Sequence, residues 1–203
     1  MKRNEFTHCL LCNAPLNEPI TWKALLTNAF TRTICTECEQ KFEPYNNQND
    51  QNIVSLYQYN EAMKDFLHRY KFMHDVLLAK VFRDKIHQKL ARKTEIIIPI
   101  PMHPMKLKER TFSPIDELLK EAKIPFKHYL EKTTTETQGS KTRKERITTP
   151  QLFKLKENQH EIIDQHLLLV DDIYTTGTTI QHARKLLLGA GAKSVLAFTL
   201  IRG

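Results

Sequence analysis

The segment from Leu167 to Thr179 constrains this chain most. Four apolar residues in a row, Leu167-Leu168-Leu169-Val170, read as a strand buried on both faces, because a strand wet on one side would alternate. Two adjacent acids follow, Asp171 and Asp172. Then come Ile173 and Tyr174, and four threonines (Thr175, Thr176, Thr178, Thr179) around one glycine, Gly177. Ile180, Ala183, Leu186 and Leu187 then recur at helical spacing. Strand, short polar turn and helix in that order form half of a βαβ unit, and such units build parallel sheets with ligands beyond the carboxyl ends of the strands. A bland reading exists too: an ordinary turn with Thr178 or Thr179 as N-cap and both acids simply exposed.

The rest of the chain fits an α/β fold. Ile53 to Tyr59 alternates like a strand, and Asn60 is placed to cap a helix starting at Glu61, with Met63, Phe66, Leu67 and Tyr70 on one face. After a break near His74-Asp75, a second helical stretch running towards Ala91 should turn Val76, Leu77, Val81 and Phe82 inward. Ile96-Ile97-Ile98 marks a buried strand within Thr94–Ile100, which Pro99-Ile100-Pro101 ends in a stiff loop. Pro114 suits the first turn of a helix over Ile115–Ala122. Lys127–Glu131 predicts a further strand, 133–149 a mobile loop, Gly189 or Gly191 a helix stop, and Ser194–Ile201 the last strand. The expectation is an open, mostly parallel sheet over 53–203. A 1–50 module precedes it, with the polar tract Tyr45 to Asn52 as linker.

That module carries all four cysteines of the 203-residue chain, as Cys9-x-x-Cys12 and Cys35-x-x-Cys38. Two such pairs can bring four thiolates to one tetrahedral ion, and four protein ligands leave no open coordination position, so structural zinc is expected. The rival is a dithiol redox pair, but neither pair opens a helix after a core strand. His8 beside Cys9 is read as a surface residue. His68, His74, His87 and His103 share no metal-binding spacing. No Gly-x-Ser-x-Gly, Walker-type loop or His-Glu-x-x-His occurs, which removes the sequence basis for a serine hydrolase, an ATPase or a zinc protease.

A net charge of +8 favours a phosphate-bearing partner, since Lys and Arg release counterions when they neutralise phosphates. Between Lys106 and Lys156 there are thirteen Lys or Arg against seven Asp or Glu, and Gln138 to Arg146 is dense in donors. No run approaches the ~18 apolar residues of a spanning helix, and the first residues lack a secretory apolar core. A cytoplasmic protein is therefore expected.

The turn after Val170 has the chemistry of a ribose-phosphate site. Two carboxylates at a strand end can accept hydrogen bonds from vicinal ribose hydroxyls and lie near a metal held by a diphosphate. Backbone N–H groups at the following helix start, with threonine hydroxyls, suit an anion, and Gly177 lets the backbone approach it. Leu168 to Thr179 resembles the phosphoribosyl pyrophosphate loop of type I phosphoribosyltransferases. The cysteine pairs, Tyr59 to Lys64, His68 to Phe72, Ile98 to Pro101 and Gln138 to Arg146 together resemble the competence protein F (ComF) family along nearly the whole chain.

That resemblance implies a type I phosphoribosyltransferase-like sheet with helices on both faces behind a small zinc-binding module. It implies a cytoplasmic protein of natural transformation that handles incoming single-stranded DNA beside a membrane channel and a DNA-uptake helicase. By position, Asp171 and Asp172 hold the ribose hydroxyls and Thr175, Thr176, Gly177, Thr178 and Thr179 the 5′-phosphate. The turn after Pro101 matches the pyrophosphate loop. Gln138 to Arg146, with Lys141 and Arg143, matches the loop that closes over the Mg²⁺-bound diphosphate, and Arg110 would neutralise its charge.

Two departures stand out. The family usually has Arg-Gly-Phe-Asn-Gln where this chain has Arg110-Thr111-Phe112-Ser113-Pro114. The sequence given stops after the last strand, so a nucleobase acceptor is expected to be read by the N-terminal region or a partner, which weighs against free-base salvage. Arg69 and Lys71 allow two readings: a phosphate clamp beside stacking rings for single-stranded DNA, or solvent-facing charges next to a buried Phe66–Tyr70 stripe. For the whole chain, the alternative to a phosphoribosyltransferase is a non-catalytic adaptor that binds single-stranded DNA and a helicase.

Overall fold

The computed structural model describes residues 6–16, 30–47, 52–133 and 152–203. Its centre is a four-stranded parallel sheet in the order β1-β6-β5-β2, where β1 is Ile53–Gln58, β2 Ile96–Pro99, β5 His166–Tyr174 and β6 Ser194–Arg202. A separate antiparallel pair joins β3, Leu130–Lys132, to β4, Phe153–Leu155. The strand expected over Lys127–Glu131 is therefore shorter, shifted and outside the main sheet.

β5 is the central strand and is apolar on both sides. Leu168 and Val170 pack with residues of the N-terminal helices, whereas Leu167 and Leu169 pack with Ile180, Ala183 and Leu187 of the helix that follows. The strand does not stop at the acids: its ladder with β6 continues through Asp171↔Thr199 to Tyr174↔Arg202. Pairing to a neighbour on one side carries the strand four residues beyond its apolar run.

Six α-helices are described: α1 Thr36–Gln40, α2 Glu61–Phe72, α3 Arg83–Leu90, α4 Pro104–Arg110, α5 Pro114–Glu121 and α6 Thr178–Gly189. Asn60 caps α2 as predicted, its side chain accepting from the Met63 N–H at 3.0 Å. Met63, Phe66 and Tyr70 are buried along one stripe. The next stretch departs from expectation. Val76–Lys80 is a 3₁₀ turn, so burial passes to Leu78 and Ala79, while Val76 and Leu77 are 41% and 49% exposed. Three residues per turn instead of 3.6 moves the inward face by one position. Phe82 is buried as expected, and Pro114 opens α5.

The cysteine-bearing segment joins the main core. Phe42 lies edge-on to Phe82 and Phe66 at 5.0 and 6.4 Å, and Cys9, Ile34 and Cys38 belong to the same buried cluster. Part of the polar tract after it is docked: Asn47 accepts from the Ser55 N–H and donates to the Ser55 carbonyl, both at 2.8 Å, extending the edge of β1.

Candidate functional site

The acids of β5 sit at the sheet's carboxyl edge, flanked by the loop after β2, because Pro99 pairs with Val170 and the Ile100 N–H donates to the Val170 carbonyl. Asp171 is in register with Thr199, and Thr199 with Ser55, whose hydroxyl shares a 2.8 Å hydrogen bond with the Thr199 hydroxyl. A polar row thus runs across the sheet from the acid on β5 through two fully buried residues, Thr199 on β6 and Ser55 on β1. Sequence reading missed it. The available signal was Ser55 and Thr199, each a small hydroxyl residue between two apolar neighbours in its strand.

Asp172 forms an ion pair with Lys71, from the last turn of α2, and the two side chains are only 14% and 16% exposed. Desolvation raises the Asp171 carboxyl from 3.8 to about 7, against the opposing charges of Lys71 and Lys132. Desolvation also brings the Lys71 ammonium down to about 8; Asp171 opposes this, and Arg110 and Lys106 add to it. Arg110 Nε donates to the Lys71 carbonyl at 2.8 Å, and its guanidinium lies 5.5 Å from the centre of the Phe72 ring. Lys71, Arg110, Asp171 and Asp172, far apart in sequence, therefore meet at one place.

The threonine turn follows directly. Gly177, with φ of 77°, is the residue before α6, so neither Thr178 nor Thr179 is the N-cap. A Cβ at 177 would run into the Tyr174 hydroxyl, so the missing side chain matters for space as well as for torsion. Tyr174 is held from the other direction by Arg202, 4.0 Å from its ring centre. Thr176 and Thr178 share a 2.9 Å hydroxyl contact, and Thr175, Thr176 and Thr178 are exposed. First-turn amides of a helix project towards its N-terminal end, here the end ringed by these hydroxyls. Lys141, Arg143 and the loop Gln138 to Arg146 lie outside the described residues.

The four cysteine sulfurs lie within 4.8 Å of one another, and Cys12 and Cys35 are 3.6 Å apart. A tetrahedral ion with Zn–S bonds of about 2.3 Å needs sulfurs about 3.8 Å apart, so the donor set and spacing fit zinc. Burial resists ionisation of Cys9, but backbone hydrogen bonds from Cys12, Cys35 and Leu11 outweigh it and bring the thiol to about 6. Among the described residues this is the one group of three or more such side chains placed to share a metal. His8 is exposed.

Arg69 is fastened elsewhere than to a phosphate site. Its guanidinium donates to the Leu10 and Leu11 carbonyls, each at 2.9 Å, and pairs with Asp75 at 3.1 Å. It ties the first cysteine loop to α2. Phe66 and Tyr70 are buried, while Phe72 is 66% exposed. Thr111 adopts φ of 67° at the end of α4, where the resembled motif has glycine.

The phosphoribosyl transferase domain family matches residues 81–203. Competence protein ComFC of Streptococcus pneumoniae (strain ATCC BAA-255 / R6) is 33% identical over 220 residues, covering 96% of this chain and 99% of its own length. The chain belongs to the ComFC family. Competence protein ComFC of Bacillus subtilis (strain 168) is 28% identical, over 96% of this chain and 94% of its own. Competence protein F of Haemophilus influenzae (strain ATCC 51907 / DSM 11121 / KW20 / Rd) is 26% identical over 74% and 72%. In this ComFC chain, the acids and threonine turn fall inside the phosphoribosyl transferase match, whereas Lys71 and the four cysteines precede it.

Proposed function

We propose that this chain acts in natural transformation and binds phosphoribosyl pyrophosphate with Mg²⁺ where β5 meets α6. The observation that carries this reading is the convergence of two acids, a threonine-ringed helix start and the cations Lys71 and Arg110 at one sheet edge. Asp171 and Asp172 receive the ribose hydroxyls, and Thr175 to Thr179 with the Gly177 backbone receive the 5′-phosphate. Lys71 and Arg110 meet the diphosphate, and Lys141 and Arg143 are the further cations assigned to it. Mg²⁺, when bound with the diphosphate, supplies charge neutralisation as that group leaves.

In a transfer reaction the C1–O bond breaks with its electron pair going to diphosphate, and the acceptor closes a new bond to C1. The cations stabilise the charge that develops on the leaving group. Zinc at Cys9, Cys12, Cys35 and Cys38 is structural in this reading, and single-stranded DNA and a DNA-uptake helicase are the macromolecular partners. No helix among the described residues is long and apolar enough to cross a membrane.

The second reading, a DNA and helicase adaptor without turnover, draws on the Lys71–Asp172 pair, which occupies one of the acids. Transformation assays separate the two. A strain carrying Asp171→Asn/Asp172→Asn should lose transformation as fully as a deletion strain if ligand binding matters. Transformation at wild-type frequency, with single-stranded DNA binding unchanged across a salt series, would leave the adaptor.

A further inference from the structure

Two carboxylates at the edge of a sheet would ordinarily attract a divalent cation. At this edge, however, the acids already face cations. Lys71 pairs with Asp172, and Lys132 acts on Asp171 from the end of β3. Lys106 and Arg110 of α4 act on Lys71 itself. With Asp172 already paired to Lys71 and further cations close by, the edge disfavours a bare metal ion and favours an anion bringing its own metal.

The lysine is also mounted to move without its helix. Its carbonyl accepts from Arg110 Nε, Arg110 lies over Phe72, and the Tyr70 hydroxyl donates to the Pro114 carbonyl at 2.7 Å. Those contacts pin the backbone at the end of α2, so any displacement of the Lys71 ammonium must come from its four-carbon stem. The acids lie inside the region matched to phosphoribosyl transferase domains and the lysine outside it, so the N-terminal helix contributes the counter-ion.

We propose that Lys71 is a resident counter-ion that excludes bare divalent cations from the Asp171–Asp172 pair, so that a cation enters only with a diphosphate-bearing anion to which the ammonium can move. This rests on the reading of the acid pair as the ribose and cation end of the site. It makes Lys71 a specificity residue, selecting metal–diphosphate over metal alone.

The test is Mn²⁺ binding followed by water-proton relaxation, which reports metal on the protein, with the cysteine cluster first saturated with Zn²⁺. Wild type and Lys71→Arg should show no saturable Mn²⁺ site until inorganic diphosphate is added. Lys71→Met should gain one saturable site, with a Kd at least tenfold below the highest Mn²⁺ concentration at which wild type shows none, and Lys71→Met/Asp172→Asn should lose it. Equal Mn²⁺ binding by wild type and Lys71→Met overturns the proposal, as does the absence of a site in Lys71→Met that gives a wild-type circular dichroism spectrum. If Lys71→Met does not fold, wild type alone decides, because saturable Mn²⁺ binding without diphosphate contradicts the proposal. Should phosphoribosyl pyrophosphate fail to bind while the Mn²⁺ pattern appears, the ribose reading falls and the counter-ion stands. The reverse pattern, with ligand bound and bare Mn²⁺ held by wild type, removes the counter-ion alone.

Discussion

The cysteine cluster and the acid–threonine edge are both dense in polar atoms, yet they are built in opposite ways. The cysteines are complete in themselves: four donors within 4.8 Å, two of them buried in the core shared with Phe42, Phe66 and Phe82, and a loop fastened by Arg69. The acid edge is incomplete. Its carboxylate is held by a lysine from another element, its hydroxyls are exposed, and desolvation raises Asp171. A closed donor set, once it holds its ion, adds stability and leaves no coordination position open. An open, desolvated edge sacrifices stability for a place where a ligand can complete the electrostatics.

That contrast can be broken at either end. The largest effect expected is on the cysteines: Cys9→Ser/Cys38→Ser, or chelation, should cost on the order of 5 kcal/mol or more. Because the cluster shares a core with the sheet, calorimetry should show one transition at a lower Tm. A separate early transition with the main one unmoved would mean that the module is independent.

Phe42→Ala comes next, at about 3–5 kcal/mol by urea unfolding, since it empties the contact between the cysteine segment and the helices. Gly177→Ala should cost about 1–2 kcal/mol for the left-handed backbone, and it should weaken ligand binding further by displacing Tyr174. Thr111→Gly should move the other way, stabilising by about 0.5–1 kcal/mol, because Thr111 now holds a φ of 67°.

The smallest effect is a pH slope. The raised Asp171 keeps a proton in the folded chain between about pH 4 and 7 that the unfolded chain has released, so this group makes stability fall as pH rises through that window. Going from pH 5 to pH 7 should therefore lower the urea midpoint more, or raise it less, in wild type than in Asp171→Asn. The same shift in both proteins would show that the acid is not desolvated.

Features encoded within a few neighbouring residues were legible in sequence. The buried run of β5, the Asn60 cap, Pro114 opening α5 and the cysteine spacing are all local. What escaped depended on distant partners or on a change of helical period. Val76–Lys80 winds as a 3₁₀ turn, and no local pattern in Val76-Leu77-Leu78 separates three residues per turn from 3.6. β5 runs on to Tyr174 only because β6 is there to pair with it. At the site, Asp171, Asp172 and the Thr175–Thr179 turn were readable as a unit, but the partner of Lys71, the Ser55–Thr199 row and the Tyr174–Gly177 contact arise from packing across the sheet.

The claim on which the account turns is that the β5–α6 edge is a working ribose-phosphate site. Calorimetric titration of phosphoribosyl pyrophosphate with Mg²⁺ into wild type and Asp171→Asn/Asp172→Asn tests it most directly. Saturable binding in wild type that disappears in the double variant is the predicted result. No binding by wild type at millimolar ligand, or equal binding by both proteins, would contradict it.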